Sequence, residues 1–339
     1  MTDIRTLVFD GPRRFHIEER PLPQPLPGEV RIRIAFVGIC GSDLHGYTGE
    51  SGRRTAGMVM GHEASGWIEA LGPGVSDVGI GTPVTFNPAL ACDGGCGHRT
   101  ENHCSELRVI GVAPELQGAF ADAITVPANR IVPLGALGLE SGAGVEPMAV
   151  GLQATRRANV EAGQSVLVVG GGMIGQCVAR AAKLAGADAV TISEPNAERR
   201  DQAVAAGFLG LDPVQLTDCD PFDVSFDAVG SSITAATAIN SVAKGSTACF
   251  VGLGHSEISI PLFEVVVAER HIVGSFAYTN AVFDETVDHM AAGRLEIDSL
   301  IGSVEPFRNI PAAFEALATN ERADAKIMMT TGSTGPVIE

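Results

Sequence analysis

The chain of 339 residues carries 23 basic and 40 acidic side chains, a formal charge of −17. A surface that acidic repels polyphosphate and anionic lipid, so neither nucleic acid nor a membrane is an expected partner. With 45% hydrophobic residues the chain can bury a sizeable core, and its length suits two domains.

Taken in chain order, the first third reads as short strands broken by turns. Residues 21–27 (PLPQPLP) must be extended, since proline fixes φ and lacks a donor. Val30 to Val37 alternates apolar and charged residues, the period of a half-buried strand. Apolar segments at 59–60, 64–71, 83–86, 119–126 and 130–134 follow, separated by Gly and Pro. That spacing predicts a β-rich, barrel-like domain.

From about residue 150 the texture changes. Residues 165–169 (SVLVV) form a continuous apolar run of the kind found in parallel strands covered on both faces. A helix over 173–186, a strand over 189–192 and a helix over 197–206 come next. Strands at 222–228, 247–252 and 271–276, with a helix over 233–242, continue the series. This alternation predicts an α/β, doubly wound parallel sheet. Beyond it, helices at 282–292 and 312–317 lead to a strand over 326–330 that lacks a crossover and is expected to pair back into the first domain. The tail from Thr330 is expected to be poorly ordered. No run of 18 apolar residues and no apolar leader is present, so a cytoplasmic protein is expected.

Gly170-Gly-Gly172-Met173-Ile174-Gly175 satisfies G-x-G-x-x-G after a predicted strand and at the opening of a predicted helix, the context a dinucleotide fingerprint requires. Gly170 allows the tight turn, Gly172 lets backbone N–H groups approach a pyrophosphate, and Gly175 permits close helix–strand packing. Glu194, 19 positions on, ends the second strand, where a carboxylate accepts both ribose hydroxyls of NAD and repels a 2′-phosphate. Arg199 and Arg200 lie on the following helix and suit that phosphate instead. The strand-end position of Glu194 favours NAD over NADP.

Three polar clusters stand out in the β-rich part: Cys40-Gly-Ser42-Asp-Leu-His45, Gly61-His62-Glu63 and Glu146-Pro-Met-Ala-Val150. Singly, each has an ordinary structural reading: a small core cysteine, a hydrogen-bonded histidine, a helix-capping glutamate. Together, and upstream of the fingerprint, they resemble the zinc-dependent medium-chain dehydrogenase/reductase superfamily along essentially the whole chain. Glu146-Pro-Met-Ala-Val-Gly151 is similar to its polyol branch, which includes sorbitol, threonine and butanediol dehydrogenases.

The resemblance implies a GroES-like catalytic domain over 1–149 and 287–339, with a NAD-binding Rossmann domain over 150–286 inserted between. It implies that Cys40 and His62 ligate catalytic zinc, with Glu63 and Glu146 as carboxylates that bind or exchange with water. One sulfur, one nitrogen and oxygen donors suit Zn²⁺. Ser42 matches the family's hydroxyl relay position and His45 its distal member. Val150, Leu253 and Phe276 match positions lining the nicotinamide, although Val150 and Phe276 fit a plain core as well. The implied reaction is hydride transfer between NAD and a secondary alcohol, diol or polyol, an EC 1.1.1-type activity in a homodimer or homotetramer. A zinc-free quinone or enone reductase and a non-catalytic NAD-binding protein are the rival readings.

Two departures from the family pattern matter. The structural-zinc lobe of the superfamily reads C-x2-C-x2-C-x7-C, whereas Cys92, Asp93, Cys96 and Cys104 keep only part of it. Either a mixed set such as Cys92 or Asp93, Cys96 and Cys104 holds zinc, with His98 and His103 as further donors, or the lobe is metal-free. In Gly274-Ser-Phe-Ala-Tyr278, Ala277 stands where the polyol branch carries a hydroxyl-binding arginine, leaving Tyr278. Cys177, Cys219 and Cys249 read as packing residues.

Overall fold

The computed structural model describes residues 3–319, 321–322 and 324–336. It divides into two compact units. The first comprises Met1–Glu146, Phe283–Ala292 and Ile301–Glu339; the second comprises Pro147–Val282 and Gly293–Leu300. Gly293–Leu300, which the sequence reading assigns to the returning part of the first, thus clusters with the second.

The first unit opens with a hairpin that the sequence reading omits, β1 (Asp3–Gly11) and β2 (Arg14–Pro21). Then come β3 (Glu29–Gly38), the short helix α1 (Gly41–Thr48), β4 (Glu63–Leu71) and β5 (Pro83–Phe86). A seven-stranded sheet runs Ile301–Pro306, Lys326–Thr330, β3, β4, β5 and Ile131–Pro133, with Ala123–Pro127 also pairing on β3. As expected, Lys326–Thr330 returns to this sheet, antiparallel to β3 with Met329 opposite Val37.

Thr331, in the tail expected to be poorly ordered, is tied down instead. Its hydroxyl donates to the Ile34 carbonyl at 2.6 Å, and its own carbonyl accepts from Arg5 at 2.9 Å. Val337, Ile338 and Glu339 lie outside the described residues.

The alternation along β3 predicts one solvated face, and here the structure differs. Several strands crowd β3, and Arg31 on its supposedly wet face is only 4% exposed. Glu69 on β4 makes this tolerable. Its two oxygens accept from Arg31 Nε at 2.7 Å and from Arg33 Nη2 at 2.5 Å. A buried carboxylate between two guanidiniums offsets its own desolvation, and removing it leaves a buried cation bare.

The second unit is a six-stranded parallel sheet in the order Leu209–Leu211, Ala189–Ser193, Ser165–Val169, Phe222–Asp227, Val242–Phe250, His271–Gly274. That is the 3-2-1-4-5-6 order, whose reversal beside Ser165–Val169 leaves a crevice at the strands' carboxyl ends. Val166 to Val169 are buried, as a strand covered on both faces requires. The helices Met173–Leu184, Ala197–Ala205 and Ser232–Ser241 follow the first, second and fourth strands.

Replacing Glu69 by Ala is expected to destabilise the protein by about 3–5 kcal/mol, because Arg31 stays buried without its anion. The urea midpoint measures this. A loss below about 1 kcal/mol contradicts the burial argument.

Candidate active site

Gly38 ends β3, and Cys40 is the N-cap of α1. The local sequence Cys40-Gly-Ser-Asp43 is a capping box: Ser42 N–H donates to Cys40 Sγ at 3.5 Å, and Cys40 N–H donates to Asp43 Oδ2 at 3.3 Å. The sulfur is thereby fixed just beyond a strand end. Gly61 and His62 lead into β4, whose first residue is Glu63, directly opposite Gly38. A Cβ on Gly38 would meet Glu63 Oε2 at 2.2 Å, so only glycine leaves room for this carboxylate.

These elements bring Cys40, His62 and Glu63 together, with one ligand atom from each inside a 4.8 Å span. Tetrahedral zinc, with bonds of about 2.0–2.3 Å, places neighbouring ligand atoms roughly 3.3–3.8 Å apart. The span therefore closes with small shifts. Nδ1 of His62 is buried without a hydrogen-bond partner and lies 3.7 Å from Asp43 Oδ1. Its other ring nitrogen is the one left for Cys40 and an ion. Sulfur, imidazole and carboxylate fit the metal chemically, and the pocket's charge fits it electrostatically.

Asp43 is fully buried, and burial is the main cause raising its pKa, against the opposing charges of His62 and Arg54. For His62, burial pulls the pKa down. Asp43, Cys40 and Glu146 outweigh it, lifting the imidazole to about 10. A field that holds a proton so firmly on His62 also favours a divalent cation in its place. Glu146, in the first turn of the helix Val145–Arg157, contributes charge but stands outside the three-residue ligand group.

Lys326 is a site residue that the sequence reading does not anticipate. Nζ of this buried lysine donates to Glu63 Oε2 at 2.5 Å and to the Ile39 carbonyl at 2.9 Å. Only its motif-free position on the returning strand, opposite the end of β3, would have signalled it. Ser42 is exposed and His45 half-buried on α1, three residues apart and so on neighbouring positions of one helix face.

In the second unit, Gly170 adopts φ of +102° at the turn, and a Cβ on Gly175 would stand 1.9 Å from the Gly170 carbonyl oxygen. Both glycines are therefore obligatory. Gly172 caps the helix that Met173 and Ile174 open. Glu194 is buried at the strand end, with Oε2 accepting from Gly171 N–H at 2.8 Å and Oε1 from Asn196 N–H at 2.9 Å. An ionised carboxylate retains lone pairs beyond these two bonds. Arg200 is committed to the Glu194 and Pro195 carbonyls, whereas Arg199 Nε is buried without a hydrogen-bond partner among the described residues. Leu253 and Phe276 are exposed, while Val150 and Ile174 pack on this unit's core. Tyr278, expected to remain as a hydroxyl-binding group, is 1% exposed, a buried core residue. A cavity of about 890 Å³, a groove bordered by Leu216, Phe222 and Ile233, holds none of these residues.

The cysteine lobe assembles one of the donor sets open to it. Cys92, Cys96, Cys104 and His98 form the group, and Asp93 does not. Gly94, with φ of +89°, turns the chain so that Asp93 sits exposed at the tip while Cys92 and Cys96 face one another's side. Cys104 Sγ lies 3.6 Å from both other sulfurs, and His98 Nδ1 lies 3.1 Å from Cys96 Sγ and 3.8 Å from Cys92 Sγ. The hydrogen bond from His98 draws the Cys96 thiol down to about 5. Cys177 and Cys249 are buried in the second unit, as packing residues should be, whereas Cys219 is half-buried.

Residues 26–136 match the family model described as the alcohol dehydrogenase GroES-like domain, and residues 173–292 match that of zinc-binding dehydrogenases. The chain is 32% identical to L-idonate 5-dehydrogenase from Vitis vinifera, covering 92% of this chain and 91% of that protein. It is 31% identical to 2-dehydro-3-deoxy-L-galactonate 5-dehydrogenase from Pseudoalteromonas atlantica, covering 92% and 94%. Among solved structures, 2R,3R-butanediol dehydrogenase from Bacillus subtilis superposes with a TM-score of 0.88 at 27% identity, covering 97% of this chain and all of that one.

The raised His62 pKa has a pH consequence for the metal-free protein. Its stabilisation is complete below about 6.5, the ordinary value, and is lost as pH rises through about 10. Thermal denaturation of metal-free protein should therefore show stability falling across that window. The His62 ring resonances should titrate near its upper end, and a midpoint at 6.5 contradicts the anionic field.

Proposed function

This chain belongs to the zinc-dependent medium-chain dehydrogenase/reductase superfamily, in its polyol-dehydrogenase-like branch, and we propose that the Cys40, His62 and Glu63 cluster is its reaction centre. The protein is an NAD-dependent oxidoreductase of secondary alcohols and polyols. The observation that carries the residue assignment is the convergence of half-buried Cys40 with buried His62 and Glu63 in an anionic pocket. The two most similar relatives described above are named as 5-dehydrogenases of sugar acids. We therefore read the substrate as a secondary hydroxyl on a polyol or sugar acid.

Cys40, His62 and Glu63 would hold the zinc, with the Glu146 charge nearby. Zinc supplies a Lewis acid for the substrate oxygen, and NAD supplies the hydride acceptor. The chain's own residues do the rest. Asp43 faces Nδ1 of His62 and orients the ring. Lys326 neutralises Glu63 and holds its Oε2 in place. The Ser42 hydroxyl takes the proton leaving the substrate, and His45, one turn along α1, passes it to water. Gly170 to Gly175 present backbone N–H groups to the cofactor's phosphates, and Glu194 accepts from its ribose. With Ala277 in the arginine's place, that guanidinium takes no part in hydroxyl recognition.

The lobe is read as a second, structural zinc site of the Cys₃His type. Its S–S and S–N separations match tetrahedral ligand spacings. Thiolate ligands also suit a reducing compartment, and we place the protein in the cytoplasm. For assembly, the helix Leu262–Val267 exposes Phe263 (74%) and Val266 (65%) beside His271–Gly274, the terminal strand of the parallel sheet. An apolar patch beside an open strand edge favours pairing with a second copy.

Purified protein is expected to contain two zinc ions per chain and to reduce NAD with polyols or sugar acids in preference to NADP. Cys40→Ser and His62→Ala should lose one zinc and at least about 10²-fold in kcat. Activity and full zinc content in either variant refute the centre, and a zinc-free reductase would act on quinones or enones instead. Cys104→Ser should lose the other zinc and lower the thermal midpoint. Phe263→Glu with Val266→Glu should yield monomers by light scattering; an unchanged oligomer rejects that interface.

A further inference from the structure

Arg54 belongs to none of the motifs, yet its side chain is only 2% exposed, against the fully buried Asp43. Its guanidinium reaches four partners from three separate stretches of chain. Nη2 donates to Asp43 Oδ1 at 3.5 Å and to the Ser42 carbonyl at 3.4 Å, Nη1 to the Val112 carbonyl at 3.2 Å, and Nε to Met60 Sδ at 3.3 Å. The stem passes over Gly46 of α1, where a Cβ would meet Arg54 Cγ at 2.5 Å.

The oxygen that Arg54 touches is the one that faces His62 Nδ1, at 3.7 Å, and the other oxygen of Asp43 holds the Cys40 N–H. One carboxylate thus orients both the sulfur and the imidazole. Apart from Arg54, that carboxylate is held by the Cys40 N–H and faced by the His62 ring. Arg54 is the permanent cation in that contact, because arginine does not deprotonate in proteins. Its fork also braces the Ser42 carbonyl, and with it the start of α1.

We propose that Arg54 is a positioning residue that keeps Asp43 aimed, and so sets the geometry of Cys40, His62 and Ser42 at once. This rests on the reading of Cys40 and His62 as metal ligands. The role needs charge and planar geometry together: lysine preserves the first without the second, and methionine fills the space with neither.

The test compares wild type, Arg54→Met and Arg54→Lys as zinc-loaded full-length protein. Three readouts are taken: zinc retention against a chelator, the visible absorption of the cobalt-substituted form, and kcat separately from KM. Arg54→Met is expected to weaken retention of the activity-linked zinc by about 10–100-fold, the usual cost of losing an outer-shell partner. It should also shift the cobalt bands and lower kcat with KM nearly unchanged. Arg54→Lys is expected to fall between, recovering zinc retention better than kcat. If Arg54→Met lowers only the thermal midpoint, with retention within twofold of wild type and identical cobalt bands, the proposal is overturned. Should Arg54→Met not accumulate as folded protein, Arg54→Lys decides: wild-type retention, bands and kcat reject the role. Failure of wild type itself to hold zinc through Cys40 and His62 would instead refute the site reading, and this proposal with it.

Discussion

The structure of the first unit turns on a buried charge arrangement. Asp43 and Glu63 are buried beside the half-buried Cys40, and His62, Arg54 and Lys326 are the cations set against them. Desolvating so many charges is costly, and no hydrophobic gain at the same atoms offsets it. The arrangement persists because each charge has a geometrically specific partner. Removing any one partner would leave an uncompensated ion in low dielectric. Such a cluster contributes little to stability, and its presence is best explained by the cation it can accept.

Register is what delivers these groups. Cys40 lies two residues beyond the end of β3, Glu63 is the first residue of β4 opposite Gly38, and Lys326 begins the strand that returns antiparallel to β3. A slip of one residue along any of these strands would flip a charged group to the other face. The packed alternation of Val30, Ile32 and Ile34 against the core therefore guards the chemistry. In the second unit the same logic applies with glycine. The approach of Gly175 to the Gly170 carbonyl brings a helix N-terminus up to the strand end, so that its N–H groups can face phosphate despite the net charge of −17.

Periodicity made the parallel sheet legible almost strand by strand, since Ser165–Val169 and its neighbours are continuous apolar runs between turn residues. The hairpin β1–β2 was illegible because half of residues 14–21 are charged and the alternation of Phe15 and Ile17 is too short to mark a strand. Cys40, His62 and Glu63 were legible as motifs. Lys326 was not, because it is 263 residues from Glu63 and only strand pairing unites them. Arg31 shows the converse: alternation assigned it to water, but crowding around β3 and the reach of Glu69 from β4 put it inside. Tyr278 likewise kept its family position while its side chain is buried.

The cysteine lobe shows why spacing is a weaker constraint than distance. Counting back from Cys104 puts Asp93 and Leu90 at the two earlier ligand positions, with Cys92 one residue out of register. A metal, however, responds to where donor atoms lie in space. The turn at Gly94 carries Asp93 outward, and the turn at Gly97 folds His98 back over Cys96, so that three sulfurs and one nitrogen close to within contact. A loop with three glycines in six residues, 92–97, can absorb a one-residue slip with little strain, because several of its φ values are free to be positive. Losing a thiolate from the motif therefore does not entail losing the donor set, and a neutral imidazole in its place lowers the negative charge that the lobe must stabilise when no metal is bound.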